Sequence, residues 1–242
     1  MMRRFAFLPI GVALAWLLGG CEQLAPLAPE QPADALTFPK PDRPVAAVVS
    51  TQFSNEDDRD ERGEAQVVMD LADIRPGMTV ADIGAGEGYY TVRLAERVGA
   101  DGRVLAQDIS REALERLGRR VEKDRLENIS IKLGEEDDPQ LPPDSFDRIF
   151  MVHMYHEVTE PYEFLWRLWP ALNAGGQIIV VETDRPIGEH GLPHTLLFCE
   201  FESVGYVLVE FIERPDIQGY FARFQRGTER TAPEAIGACN SG

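Results

Sequence analysis

The spacing of apolar residues switches repeatedly between a helical and a strand period, and each switch marks an element. From Phe53 the run "NEDDRDERGEAQVVMDLADI" starts acidic and then carries Ala65, Val67, Val68, Leu71 and Ile74 at mostly helical spacing, which predicts a helix. "RPGM" breaks it, and "TVADIG" follows as a short buried strand running into glycines. A regular alternation comes next. Helix "YYTVRLAERV" leads to strand "RVLAQD". Helix "SREALERLGRRVEKD", with Ser110 placed as its N-cap, leads to strand "NISIKL". After an acidic loop marked by prolines come strand "FDRIFMV", helix "PYEFLWRLWPAL" and strand "QIIVVE". A last helix, "HTLLFCEFESV", precedes two strands, "GYVLVEFIE" and "GYFARFQ", joined by "RPDIQ".

Strands that alternate with helices imply right-handed crossovers and a parallel sheet covered on both faces. The two closing strands are too close in sequence for a crossover, so they must pair antiparallel. The expected class is therefore α/β, a doubly wound and mainly parallel sheet with an antiparallel end. No internal repeat is visible, and residues 227–242 read as a loose tail after a domain spanning 51–226.

The first 20 residues break this pattern. A charged start, "MMRR", precedes the uncharged "FAFLPIGVALAWLLGG", which is short for a spanning helix and fits the apolar region of a signal peptide. Gly19 and Gly20 before Cys21 resemble the lipobox of bacterial lipoproteins, in which the cysteine is lipidated and becomes the mature N-terminus. That resemblance implies a cell-envelope protein held on the periplasmic side of a membrane through lipidated Cys21. Residues 21–50 then read as a linker: six prolines lie between Glu22 and Val45, and proline fixes φ and removes a donor. Extended, such a tether reaches roughly 70 Å.

Composition is that of an ordinary globular protein except for its charge: 41 Asp and Glu oppose 24 Lys and Arg, a formal net charge of −17. Such a surface repels phosphate backbones, so nucleic acid is not the expected partner. Cys21, Cys199 and Cys239 do not make a disulfide framework. With Cys21 lipidated, Cys199 is expected as a buried thiol and Cys239 as a free one, rather than as a bridged pair.

The chemistry concentrates in "ADIGAGEGYY", where Asp82, Gly84, Gly86 and Gly88 form D-x-G-x-G-x-G at the end of the first strand. Ligands of open parallel sheets bind beyond the carboxyl ends of the strands. A dinucleotide turn needs a third glycine where this chain has Tyr89, and no Gly-Lys-Ser/Thr follows as a P-loop requires. Asp108 ends the second strand, where a carboxylate accepts both hydroxyls of a ribose. The acidic loop after the third strand offers Glu135 and Asp137 to an amino-purine, and Asp82 suits an ammonium group. An ammonium, a ribose and an adenine without phosphates describe S-adenosylmethionine.

With those residues in view, the stretch from about Ala65 to Phe224 resembles a class I S-adenosylmethionine-dependent methyltransferase. "VADIGAGEGYYT" is similar to that family's first motif, and "VLAQDIS", with Asp108 and Ile109, to the acidic end of its second strand. "LPPDSFDRIFMVHMYHEV" and "LWPALNAGGQIIVVE" resemble its fourth- and fifth-strand regions, with Asn173-Ala174 replacing the more usual Lys-Pro. The resemblance implies a seven-stranded sheet of order 3-2-1-4-5-7-6, S-adenosylmethionine as cofactor, and Tyr90 as a candidate lining residue. It also implies methyl transfer to a small or lipid-like acceptor. A tethered protein that keeps the fold for binding without turnover is the alternative, because export separates the chain from a cofactor made in the cytoplasm.

All four histidines, His153, His156, His190 and His194, follow the fourth and fifth strands. His153 and His156 are the candidates to deprotonate an acceptor. The competing reading has this segment merely starting or capping the next helix. "VHMY" stands where amide and exocyclic-amine methylators carry Asn/Asp-Pro-Pro-aromatic, which disfavours that substrate class. His153, His156, Glu157, Glu182 and Asp184 offer metal-ligating groups, but their spacing matches no recognised signature and no metal is expected.

Overall fold

The computed structural model describes residues 36–47 and 56–240; the signal segment and Cys21 lie outside the described residues. Seven strands form one sheet: β1 (Thr79–Ile83), β2 (Arg103–Asp108), β3 (Ile129–Leu133), β4 (Phe146–Val152), β5 (Leu172–Glu182), β6 (Tyr206–Arg214) and β7 (Gly219–Arg226). Their order is β3-β2-β1-β4-β5-β7-β6. The first five strands pair parallel, while β7 runs antiparallel to both β5 and β6. The expected class, order and antiparallel end are all present.

Helices α1 (Glu56–Glu61), α2 (Glu64–Leu71), α3 (Tyr89–Val98), α4 (Arg111–Asp124), α5 (Pro161–Leu168) and α6 (His194–Val204) cover the sheet. The apolar residues of the central strands alternate between two cores. Ile149, Met151, Ile178 and Val180 join Leu165 and Leu168 of α5 and Phe201 of α6. Val80, Phe150, Ile179 and Val181 join Val68 of α2 and Leu94 of α3. Strands buried on both faces read as continuous apolar runs for this reason. Ser110 caps α4 as expected, its side chain accepting from the Ala113 N–H at 3.2 Å.

Four expectations change. The single helix expected before "RPGM" is two, because Gly63 sits at φ 64° and turns the chain between Glu61 and Glu64. The tail is not loose over its described residues. Thr231 accepts from the Trp166 indole at 3.1 Å, Arg230 stacks 3.5 Å from the Trp166 ring, and Ile236 is buried. Cys199 and Cys239 are bridged rather than separate thiols. They lie 40 residues apart in sequence, and the fold closes that gap by laying the tail over α5 and α6, where the Tyr162 hydroxyl accepts from the Cys239 N–H at 2.6 Å.

Part of the supposed linker is docked too. Arg43 is buried and pairs with buried Glu200 of α6 at 2.8 Å. The Ala46 N–H donates to the His156 carbonyl at 3.2 Å, and Asp42 bridges to Asn240. Prolines deprive this segment of its own hydrogen bonds, yet side chains and a few amides are enough to seat it.

Candidate active site at the carboxyl ends of the strands

Parallel pairing sets β1 and β2 level, with Asp82 opposite Ala106 and Ile83 opposite Gln107, so both chains leave the sheet at the same edge. The glycine loop leaves β1 there. Gly84 adopts φ 68°, and a Cβ on it would come within 2.9 Å of Met154 in the loop after β4. The Gly86 N–H donates to Asp108 Oδ2 at 2.8 Å, while Asp108 Oδ1 accepts from the Ser110 N–H at 2.7 Å. A single carboxylate thereby ties the loop to the start of α4. Gly88, at φ 88°, precedes Tyr89 at the start of α3, and a side chain there would collide with Leu117.

Asp82 is buried and accepts a 2.6 Å hydrogen bond from the Thr91 hydroxyl. Burial pushes its carboxyl up to about 7; the Thr91 bond and the Arg59 charge oppose this without cancelling it. Ile109, immediately after Asp108, is 40% exposed. Glu135 is exposed and bonded within its own loop, accepting from the Gln140 amide at 2.7 Å, and Asp137 stands half-buried beside it. The structure thus brings Asp82, the three glycines, Asp108 and Ile109 together, and places Glu135 and Asp137 in the loop that follows β3.

A buried cluster that the sequence did not disclose adjoins the loop. The turn at Gly63 folds Arg59 onto Glu64, with Nη2 2.5 Å from Oε1. The guanidinium lies 3.8 Å from the Tyr89 ring centroid and 5.2 Å from that of Tyr90, where an aromatic face attracts a cation. Tyr90, itself buried, donates its hydroxyl to Glu64 Oε1 at 3.1 Å. The fourth member is His153, whose Nε2 stands 3.7 Å from the same oxygen, charge-pair range rather than hydrogen-bond range. Burial alone raises the Glu64 carboxyl, but the His153 imidazole and the Arg59 guanidinium outweigh it and hold it at about 2. The available signal was Gly63 inside an otherwise helical run, which warned of a break without saying what it would join.

The two candidate bases are placed differently. His153 adopts φ 53°, its N–H donating to the Val181 carbonyl at 2.8 Å, and its ring is about one third exposed beside Glu64. His156 is buried in a turn of 3-10 helix (Tyr155–Glu157), its Nδ1 3.0 and 2.9 Å from the two oxygens of Glu182 at the end of β5. Burial lowers the His156 pKa, yet the Glu182 carboxylate more than compensates and it is raised. His194 lies apart, its Nδ1 2.7 Å from Asp184.

A family model described as a methyltransferase domain matches residues 74–199. The ubiquinone/menaquinone biosynthesis C-methyltransferase of Idiomarina loihiensis is 31% identical over 121 residues, 49% of this chain and 48% of that protein. The nocamycin O-methyltransferase of Saccharothrix syringae is 36% identical over 86 residues, 36% of this chain and 31% of that protein. The chain thus spans about half the length of the first relative and less of the second. A crystal structure of a SAM-dependent methyltransferase from Aquifex aeolicus superposes with a TM-score of 0.63 at 26% identity, covering 69% of this chain and 90% of that one.

The buried Glu64 gives the fold a defined acid sensitivity. Glu64 titrates near 4.5 when unfolded and at about 2 when folded, so its contribution is complete above the first value and disappears as pH falls toward the second. The difference corresponds to about 3 kcal/mol at neutral pH. Denaturant unfolding between neutral pH and about pH 3 should show this loss in the wild type and a flatter profile in Glu64→Gln. Equal slopes in the two proteins would assign the acid sensitivity to other groups.

Proposed function

The chain belongs to the methyltransferase-domain family, and from that premise we propose that it transfers a methyl group from S-adenosylmethionine to a small or lipid-like acceptor, at oxygen, carbon or a similar centre. The observation that carries this reading is the double grip of Asp108 on Gly86 and Ser110, which sets a carboxylate at the mouth of a glycine loop too tight at Gly84 and Gly88 for side chains. A C-methyltransferase and an O-methyltransferase among its relatives support this range of acceptor atoms. The acidic chain disfavours nucleic acid as the acceptor.

The residues present fit the cofactor. Asp108 would accept the ribose hydroxyls, Asp82 would face the ammonium, and Ile109 with Glu135 and Asp137 would border the adenine. Tyr90 closes the floor through Glu64. When bound, S-adenosylmethionine supplies a methyl on a sulfonium centre, which calls for a positioned nucleophile and a water-poor pocket more than for elaborate proton chemistry. For an acceptor bearing a proton, His153 is the base: its ring is about one third exposed and its Nε2 stands 3.7 Å from the Glu64 carboxylate. His156, buried against Glu182, is the less accessible of the pair.

We further propose that the protein works in the cell envelope, tethered through Cys21. The Cys199–Cys239 bridge supports this reading, since disulfides persist in oxidising compartments and are rare in the cytosol. Among the described residues no helix is long and apolar enough to cross a membrane, so attachment would rest on the N-terminal segment.

Calorimetric titration of the full chain with S-adenosylmethionine tests the site. Asp108→Ala should weaken binding by about 1–3 kcal/mol, and unchanged affinity would move the ribose elsewhere. Because Asp82 titrates at about 7, binding an ammonium beside it should release about half a proton at pH 7, read from the buffer dependence of the heat and absent in Asp82→Asn. Equal proton release from both proteins would remove Asp82 from the ammonium site. Binding without methyl release across a broad acceptor panel would leave a tethered binding protein. For the tether, Cys21→Ser should shift the protein from the membrane to the soluble fraction, and unchanged fractionation would overturn the lipid anchor.

A further inference from the structure

Beside the glycine-loop cluster, two loops bring three further donors together at the carboxyl ends of β4 and β5. His156 and Glu157 occupy the turn after β4, and His190 ends a turn of 3-10 helix (Ile187–Glu189) after β5. Their ligating atoms all lie within 4.8 Å of one another, with His156 Nε2 4.0 Å from Glu157 Oε1. A point within about 2.8 Å of all three therefore exists, under about 1 Å beyond metal–ligand bonds of about 2.0–2.2 Å. We propose that His156, Glu157 and His190 form a binding site for a divalent transition metal of the zinc type, with Glu182 as the residue that orients His156.

Two independent features point the same way. Nδ1 of His156 is engaged by both oxygens of Glu182, so Nε2 is the ring nitrogen directed at the other donors. A carboxylate on the far nitrogen of an imidazole is the usual outer support of a metal-bound histidine, fixing its tautomer and raising its basicity. The second feature is the backbone of His190, in the left-handed region at φ 56° and ψ 55°. That conformation costs roughly 1–2 kcal/mol for a side-chain-bearing residue, and here it is over-determined. Arg185 donates to the His190 carbonyl through Nε and Nη2 at 3.3 and 3.0 Å, and the His190 N–H donates to the Ile187 carbonyl at 3.0 Å. The result is an imidazole set edge-on to His156, ring centroids 5.8 Å apart.

The donor chemistry selects the metal class. Two imidazoles and one carboxylate suit zinc and its transition-metal neighbours rather than magnesium or calcium, which prefer all-oxygen sets. Three protein ligands leave a fourth tetrahedral position open to water or to an oxygen of a second molecule. His156 is buried, while Glu157 and His190 are half-buried, so the site has a protein floor and an open side. Spacing could not reveal it, because the ligands come from two loops with β5 between them.

The test is zinc binding by the untagged full chain, stripped with a chelator and titrated against a chromophoric competitor, without cofactor or acceptor, so that its outcome is independent of methyl transfer. One equivalent of zinc is expected, and cobalt(II) in its place should give the visible bands of a tetrahedral ion. His190→Ala and Glu157→Gln, both at half-buried positions, should each weaken zinc by tenfold or more. Glu182→Gln should weaken it about 10–100-fold through the orientation of His156. His194→Ala, on the separate Asp184 pair, should bind as the wild type does. No stoichiometric zinc in the wild type would overturn the proposal, as would affinity that survives His190→Ala or falls only with His194→Ala. Should Glu182→Gln fail to fold, judged by its thermal melt, the His190 and Glu157 variants decide the matter alone.

Discussion

The carboxylate of Asp108 is the constraint on which the site depends. Its two oxygens hold backbone N–H groups on opposite sides of the strand end, Gly86 in the loop and Ser110 at the cap of α4. Hydrogen bonds to an ionised acceptor are stronger than neutral ones, so the grip fixes loop and helix against β2 together. The level register of β1 and β2 makes this reach feasible, and the left-handed glycines make the loop narrow enough to be reached. The same carboxylate that would receive a ribose is thus also the clasp of the loop. Ligand and loop would have to share it.

Charge is buried around this clasp in two different ways. Asp82 is buried with a hydroxyl partner, and the Arg59 charge does not offset its burial, so it drifts toward neutrality. Glu64 is buried with Arg59, Tyr90 and His153, and it stays ionised. Removing one member of a buried pair strands the other charge, which costs far more than the pair contributes. Two buried carboxylates therefore carry opposite tendencies: one is ready to give up a proton to a cation, and the other is a fixed negative charge beside a partly exposed imidazole.

The periphery is fastened by contacts of the linker's described part and of the tail with α5 and α6. Arg43 reaches Glu200, the tail seats Arg230 over Trp166, and the Cys199–Cys239 bridge joins tail to α6. These contacts lie on the sheet face that carries α5 and α6, and Ala46 touches the His156 carbonyl. The proposed metal ligands consequently sit next to a docked segment, not on an isolated loop.

By itself the sequence determined the local elements: the bounds of α3, β2 and α6 are those of the apolar pattern, and Ser110 caps where its type and position said it would. It also determined the antiparallel end, because the four residues between β6 and β7 leave no room for a crossover, and through the glycine motif it pointed to the candidate site. The strand order came by resemblance rather than from the pattern, since periodicity says nothing about which strands are neighbours. Only the tertiary structure decided which distant groups meet. It alone joined Arg59 to Glu64 across a glycine break, His156 to Glu182, and Cys199 to Cys239. The physical reason is the same in each case: local propensity and alternation are short-range signals, whereas partners of buried polar groups are chosen by where the packed sheet and helices bring the chain back upon itself.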